Sequence, residues 1–361
     1  MTENDMGRGD GRGILRGDYL NEDRTLTRQD WLEEVFPEWG TLLNRQIENA
    51  IVAPGTVALW WLSGPSWCLK TSAGGVFLID CYSGPSMYTS YDYCGVCRIG
   101  GAQTINWIRL SPMVHDPWKF KTLDASFMTH LHQDHCDIYT IKATLATTRC
   151  KYVGPLSTIL KTRKFQVPEE RIIQVKPGDE LPVRGATVKV LANYDDIARR
   201  TGVPVDQPRA YGEAAVSYLF ETDGGNILFL GDSLYHNGYK AIGDQYTIDV
   251  TIADMGHNAP GATDKMTPWD LFRVGQALRT KVLIPDHYDN WANTQLDPAQ
   301  LERIVRENSP GMKTVIMQAG GMFVYPNDRD IGRYTYPDYR ECYRPEDSWQ
   351  YGKPAEDAGL L

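Results

Sequence analysis

The stretch Met128-Thr129-His130-Leu131-His132-Gln133-Asp134-His135-Cys136-Asp137 decides how this chain is read. Three of the chain's seven histidines fall between positions 130 and 135. A short strand-like run, Ser126-Phe127-Met128, leads in, and Ile138, Ile141 and Leu145 lead out at helical spacing. The local structure predicted is therefore strand, non-helical turn, helix. Imidazole and carboxylate together suit a divalent transition metal. Residues two apart along an extended stretch share a face, so His130 and His132 can grip one ion. Asp134 and His135, past the turn, can grip a second.

Three other apolar runs end in a similar way. Val76-Phe77-Leu78-Ile79 ends at Asp80, Ile227-Leu228-Phe229-Leu230 at Gly231-Asp232, and Val282-Leu283-Ile284 at Pro285-Asp286-His287. Continuous apolar runs read as buried strands whose ends open into loops. If these strands lie side by side, their ends gather Asp80, the 130–135 cluster, Asp232 and His287 at one edge, where α/β sheets usually bind ligands. Helices separate the strands. Thr267-Pro268-Trp269-Asp270 supplies an N-cap, a proline at the first position and an acid at the third, followed by an apolar stripe of Leu271, Val274 and Leu278. Asp297-Pro298 opens another, with Leu301, Ile304 and Val305 facing inward, and a strand is expected over Thr314-Val315-Ile316-Met317. Further upstream, Trp31, Val35, Leu42 and Ile47 suggest helix from Asp30 to Ile51, broken at Pro37. Strands alternating with helices argue an α/β layered fold.

With 361 residues, 42% hydrophobic and 23% charged, the chain has the balance of a soluble globular protein with a large core. No apolar run approaches the roughly 20 residues of a membrane span. The start, MTENDMGRGDGRG, lacks the apolar centre of a secretory signal. The odd count of seven cysteines then reads as reduced thiols in a cytoplasmic protein. Cys94 and Cys97 form a lone C-x-x-C with no second pair to complete a structural zinc site. A net charge of −9 argues against nucleic acid or an anionic membrane as partner. Residues 1–27 form a Gly/Arg/Asp-rich leader, 28–325 the body, and 326–361 a Tyr/Pro-rich tail expected to wrap the surface.

His130-Leu131-His132-Gln133-Asp134-His135 resembles the H-x-H-x-D-H signature of the metallo-β-lactamase superfamily. Phe36-Pro37-Glu38-Trp39-Gly40, VAPGTVALWWL (52–62), Asp116-Pro117, VKPGD (175–179), SYLFET (217–222), LGDSLY (230–235), GATDKMT (261–267) and VLIPDHYDNW (282–291) are similar to its L-ascorbate-6-phosphate lactonase branch. The resemblance implies an αβ/βα sandwich of two sheets with helices outside and metals at one edge. It implies a cytosolic hydrolase of a small phosphorylated sugar lactone, in carbohydrate metabolism, with manganese the usual ion (zinc or iron the alternatives, one or two ions) and a homo-oligomeric assembly. Carried over, His130, His132, Asp134, His135, Asp232 and His287 are the metal ligands, and Asp80 orients a ligand from behind.

One departure matters. The superfamily usually supplies another histidine between the signature and the late aspartate, and no histidine lies between Cys136 and Gly231. Asn193, Asp195 and Asp196 of LANYDDIAR sit near where it would fall, and Asp196 is the candidate substitute. A carboxylate there makes the site more oxygen-rich, favouring manganese over zinc. The expected reaction is attack on the lactone carbonyl by water activated on the metal, with Asp134, His135 and Asp232 as the catalytic group. Asp134 can ligate, hold the nucleophile or shuttle its proton. Lys265, before a helix N-terminus, leads the candidates for the substrate phosphate, with Arg199, Arg200 and Arg209 weaker, and His236 and His257 are candidates for a second tier behind the ligands or for substrate contact. Metal-dependent cleavage of a small cyclic or nucleotide phosphodiester is the rival chemistry, and a metal-binding protein without catalysis a third reading.

Overall fold

The computed structural model describes residues 38–84, 108–204, 206–258 and 265–332. Packing divides the chain between Trp39 and Gly40, and the architecture below is that of the second unit. The leader, Cys94, Cys97 and the tail beyond residue 332 lie outside the described residues.

The strands are β1 (Val57–Trp61), β2 (Trp67–Thr71), β3 (Val76–Ile79), β4 (Ala125–Phe127), β5 (Lys151–Gly154), β6 (Ile172–Gln174), β7 (Glu180–Val183), β8 (Ala186–Ala192), β9 (Val216–Thr222), β10 (Gly225–Phe229), β11 (Val250–Asp254), β12 (Val282–Asp286), β13 (Lys313–Thr314) and β14 (Met322–Tyr325). The helices are α1 (Glu38–Asn49), α2 (Ile138–Thr147), α3 (Leu156–Lys164), α4 (Asp196–Arg200), α5 (Tyr211–Ala214), α6 (Gly238–Gln245), α7 (Pro268–Leu278) and α8 (Ala299–Asn308). Two seven-stranded sheets result, ordered β14-β1-β2-β3-β4-β5-β6 and β13-β12-β11-β10-β9-β8-β7. Each is mixed. In the first, β3 to β6 run parallel; in the second, β10 to β13 do.

Period-two alternation explains the layers. Along β1, Val57, Leu59 and Trp61 point into the inter-sheet core, where they join Phe77, Phe127, Tyr218, Phe220, Phe229 and Ile284. Ala58 and Trp60 point the other way, into a cluster with Leu43 and Ile47 of α1 and Ile141 of α2. The far face of the second sheet gives Leu219, Leu228 and Leu283 to a cluster with Leu271 and Leu278 of α7 and Leu301 and Val305 of α8. Both faces of each sheet are covered, so the strands read as unbroken apolar runs. This is the αβ/βα sandwich expected.

Several local expectations hold. Thr267 caps α7 with a reciprocal capping box to Asp270, and Pro268 opens the helix. The helix expected over Ile138, Ile141 and Leu145 is α2, and the structure adds its cap, Asp137, which accepts from the Thr140 N–H. Others shift. Leu42 is 53% exposed, and Leu43 with Ile47 makes the buried stripe of α1. The strand expected at 314–317 pairs with β12 only through Lys313 and Thr314. Val315 still bonds Leu283 O, but Ile316 N–H turns to Gly332 O. The four strand ends do not lie side by side in one sheet. Asp80 and the histidine cluster follow β3 and β4 of the first sheet; Asp232 and His287 follow β10 and β12 of the second. The ligand-bearing edge is thus shared between two facing sheets.

Phe220 stacks edge-on or tilted against Phe77, Phe127 and Phe229 at the centre of the sandwich, with centroids 5.1 to 5.7 Å apart. Phe220→Ala is expected to cost about 3–5 kcal/mol of unfolding free energy, read from the shift of the urea midpoint.

Candidate metal centre

The centre is assembled by strand ends held in uncommon backbone. Asp80, directly after β3, has φ +47°, and His287, directly after β12, has φ +65°. Non-glycine residues rarely adopt such angles, and they persist where surrounding contacts over-determine them. For His287 those contacts include its N–H, which donates to Gly64 O at 3.2 Å. Gly64 itself has φ +55°, and a Cβ there would lie 2.8 Å from Asn290 Oδ1. Before Asp232, Gly231 has φ +72°, and its Cβ would meet Thr129 Oγ1 at 2.6 Å. Glycine is therefore what lets the Asp232 turn of one sheet close on the His130 turn of the other.

Hydrogen bonds from behind set the histidine tautomers. Thr129 gives its N–H to Asp80 Oδ1 at 2.7 Å and its hydroxyl hydrogen to Asp80 Oδ2 at 2.6 Å. The hydroxyl oxygen then accepts from His130 Nδ1 at 3.1 Å, which leaves the lone pair on His130 Nε2. His135 Nδ1 donates to Asp80 Oδ2 at 2.9 Å, so Nε2 is its inward atom. Thr201 donates its hydroxyl to Ile197 O at 2.9 Å and accepts from His132 Nε2 at 3.0 Å, which turns the lone pair of His132 Nδ1 inward. His130 Nε2 and His132 Nδ1 consequently face each other at 2.8 Å. Two converging lone pairs at that distance repel unless a cation stands with them.

Ligand atoms within 4.8 Å of one another form three groups: His130, His132 and Asp195; Asp134, His135 and His287; and His130, His135 and Asp232. Asp195 Oδ2 is 3.7 Å from His130 Nε2. Asp134 Oδ2 is 3.7 Å from His135 Nε2 and 3.0 Å from His287 Nε2. Asp232 Oδ1 lies 3.4 Å from His135 Nε2 and 3.5 Å from His287 Nε2, between the groups. All these residues are buried. His135 Nε2 and Asp232 Oδ1 are enclosed yet make no hydrogen bond, which is unusual for buried polar atoms. Unbonded inward atoms, facing lone pairs and an N/O donor set all fit a divalent metal.

Electrostatics follow from this crowding. Burial, with His135 and His132 beside it, holds His130 well below the ordinary imidazole range, so it stays a neutral donor. Burial also lowers His135, but the carboxylates of Asp232, Asp134 and Asp80 outweigh it and raise that ring well above the usual range. Burial raises Asp134 and Asp232, yet the neighbouring cationic groups hold both carboxylates below theirs.

The structure separates the expected residues. Asp196 is not brought to the histidines: it is the first residue of α4, its side chain 29% exposed, paired with Arg199 at 3.0 Å and Arg200 at 2.8 Å. Asp195, the N-cap, is 4% exposed at the side chain and turns inward. Its Oδ1 accepts from Ala198 N–H at 2.8 Å. The signal was legible, because an acid followed at three and four positions by arginines marks a solvent-facing helix pair. Lys265 does not line a separate phosphate pocket; it is 2% exposed, and its ammonium sits on Asp232 Oδ2 and 3.1 Å from His287 Nε2. His236 is exposed and stacked on Tyr194 at 3.8 Å, one residue from Asp195. His257 is exposed and bonds Thr294 O through its backbone. Arg209 donates to Thr201 O at 2.6 Å, behind His132.

Two further positioning residues lie outside the candidates the sequence suggested. Asn290 donates to Asp134 Oδ2 at 2.9 Å and accepts from Ser111 Oγ at 3.1 Å. Asp254, at the end of β11, accepts from Ser233 N–H at 3.1 Å and Met266 N–H at 3.3 Å, fixing the turns that carry Asp232 and Lys265.

Facing sheets with histidine–aspartate groups at a shared edge define a metallo-hydrolase. A family model of the beta-lactamase superfamily domain matches residues 77–288. The chain is 36% identical over 350 residues to the "Probable L-ascorbate-6-phosphate lactonase UlaG" of Salmonella heidelberg (strain SL476), covering 91% of this chain and 98% of that one. Two solved structures share the fold: an isothiocyanate hydrolase from Delia radicum gut bacteria (18% identity, TM-score 0.54, 74% of this chain and 98% of that one), and the metallo hydrolase Igni18 from Ignicoccus hospitalis KIN4/I (15% identity, TM-score 0.53, 75% and 98%). The chain belongs to the metallo-β-lactamase superfamily, in its L-ascorbate-6-phosphate lactonase family. It is a metal-dependent hydrolase. Among the described residues no helix is long and apolar enough to cross a membrane.

Asp195→Ala is expected to lower the metal bound per chain in elemental analysis, whereas Asp196→Ala leaves it unchanged; the reverse pattern would restore Asp196 as the ligand. Asn290→Ala, which frees Asp134 to turn, is expected to reduce hydrolytic activity about 10–100-fold with the far-UV circular dichroism unaltered.

Proposed function

We propose that the chain opens the lactone ring of L-ascorbate 6-phosphate or a closely related sugar-phosphate lactone, with manganese as its ion. The observation that carries the reading is the pair of ligand groups, His130/His132/Asp195 and Asp134/His135/His287, meeting at Asp232. The substrate class rests on the name of the relative that aligns over 91% of the chain. Manganese is supported by Asp195, which brings a hard oxygen donor where a third imidazole is usual. The cytosolic setting is supported by Cys68, Cys81 and Cys150, which are buried and form no disulfide.

A divalent ion bound here lowers the pKa of water and polarises a carbonyl oxygen. The chain's own groups do the rest. Asp80 fixes the His135 ring and, through Thr129, the His130 ring, so the inward nitrogens need no reorganisation. Asn290 holds one oxygen of Asp134. Asp134, so held, is placed to hold or shuttle the proton of the attacking water. The Lys265 ammonium is a buried donor for the charge that develops on the lactone carbonyl oxygen. With Lys265 in the centre, Arg209 remains our candidate for the substrate phosphate, and His236 and His257 for other substrate contacts.

The test is a panel with the manganese-loaded protein: L-ascorbate 6-phosphate, unphosphorylated ascorbate, an acyl lactone and a chromogenic phosphodiester. Ring opening of the phosphorylated lactone is expected, abolished by chelation. Asp134→Ala should reduce it by more than the about 10–100-fold of a supporting residue. Turnover of the diester without the lactone would overturn the reading in favour of phosphodiester cleavage.

A further inference from the structure

We propose that Asn193 is a positioning residue: its side chain clasps the loop that carries Asp195 to the loop that carries Asp232 and so sets the spacing of the two carboxylates. β8 ends at Ala192 and β10 at Phe229, and β9 lies between them in the sheet. Strands two apart are separated by roughly 9–10 Å and share no ladder bond. Neighbouring strands are also twisted against one another, so the loops leaving their ends splay. The ladder alone therefore does not register Asp195 against Asp232.

The Asn193 carboxamide does. Its Oδ1 accepts from Asp195 N–H at 2.8 Å, and its Nδ2 donates to Leu230 O at 2.7 Å and to Asp232 O at 3.1 Å. An N–H on one side and two carbonyls on the other fix which end of the amide is oxygen. The bridge passes over the end of β9, where Ser217 Oγ lies 3.4 Å from Nδ2 and donates to Leu230 O at 2.8 Å. Asn193 is fully buried, so removing it leaves enclosed backbone groups of both loops without this partner, which is costly. The clasp also directs a ligand atom. With its N–H on Asn193 and its Oδ1 on Ala198 N–H at 2.8 Å, Asp195 turns Oδ2 toward His130 Nε2, 3.7 Å away. Tyr194, the residue between, ties the same loops from the outer side: its ring stacks on His236, four residues beyond Asp232, with centroids 3.8 Å apart and planes 18° apart.

The inference rests on the reading of this edge as a metal centre and is independent of which lactone is cleaved. Full-length wild type, Asn193→Ala, Asp195→Ala and the double variant would be stripped of metal and titrated with manganese against a chelating dye. Asn193→Ala is expected to weaken manganese binding about 10–100-fold, the usual cost of losing a group that orients a ligand. On top of Asp195→Ala the same change is expected to cost at least about threefold less, because one of its two carriers is gone. Asn44→Ala is the control for stability: Asn44 is a buried amide outside the centre, accepting from Asp116 N–H at 2.8 Å. That variant is expected to lower the urea midpoint and leave the manganese affinity unchanged. Unaltered affinity in a folded Asn193→Ala would overturn the proposal, as would an undiminished loss in the Asp195→Ala background or an equal loss in Asn44→Ala. If Asn193→Ala does not fold, Asn193→Ser, whose hydroxyl is too short to reach both loops, takes its place in the same cycle. A wild type that takes up no manganese would sink the metal-centre reading and the proposal with it. A failed lactone panel with these affinities as expected would sink the substrate reading alone.

Discussion

The structure depends on the rule that a carboxylate cannot be buried without positive charge or donors to meet it. Asp80, Asp134, Asp195 and Asp232 are each nearly sealed from solvent at one edge of the sandwich. Asp80 is answered by Thr129 and His135, Asp134 by Asn290 and His287, Asp232 by Lys265. These partners come from elements far apart in sequence, and from both sheets. The apolar core holds the sheets face to face. The buried charges fix how their edges meet, because each acid and its partner must arrive together.

That division of labour explains what the sequence reveals and what it hides. The inter-sheet core is legible in β3, β4, β10 and β12, whose apolar runs are each closed by a polar residue. The signature from His130 to His135 is legible because its spacing follows from an extended strand end and a turn. Asp80, Asp232 and His287 are legible as polar residues closing such runs. What spacing cannot convey is the direction of a side chain where the backbone is irregular. Asp195 and Asp196 are adjacent, and only cap geometry decides which turns inward; the arginine pair after Asp196 was the available clue. Asn290 lies in a loop within the VLIPDHYDNW segment and Asp254 closes β11, and their roles exist only once strands of the second sheet are laid beside one another. Lys265 misleads for a related reason. Next to a helix N-terminus it reads as a phosphate clamp, whereas the loop that carries it folds inward.

Strain and rigidity here have a common origin. Positive φ at Asp80 and His287, and glycines at 64 and 231, mark the points where two strand ends must bend sharply to bring donors to one place. A ligand set tolerates little misplacement, so the bends are locked by bonds from the backbone behind them: His287 through Gly64 O, Asp232 through the Ser233–Asp254 contact. The hydrogen-bond tier that sets the tautomers is the same tier that closes the sandwich edge. Stability of the edge and readiness of the donors are therefore one property, and binding an ion there stabilises the folded state by mass action.

The charge ledger of the centre ties its two departures together. Where the superfamily usually offers a third imidazole, this chain places Asp195, which adds a negative charge inside a volume closed to water. A neutral-for-anionic exchange of that kind is tolerable only with a compensating cation nearby. The Lys265 ammonium is such a cation, delivered from another strand end of the same sheet and held within the same cluster. The missing histidine and the buried lysine thus meet in one cluster: Asp195 adds a buried carboxylate, and the Lys265 ammonium on Asp232 offsets negative charge there.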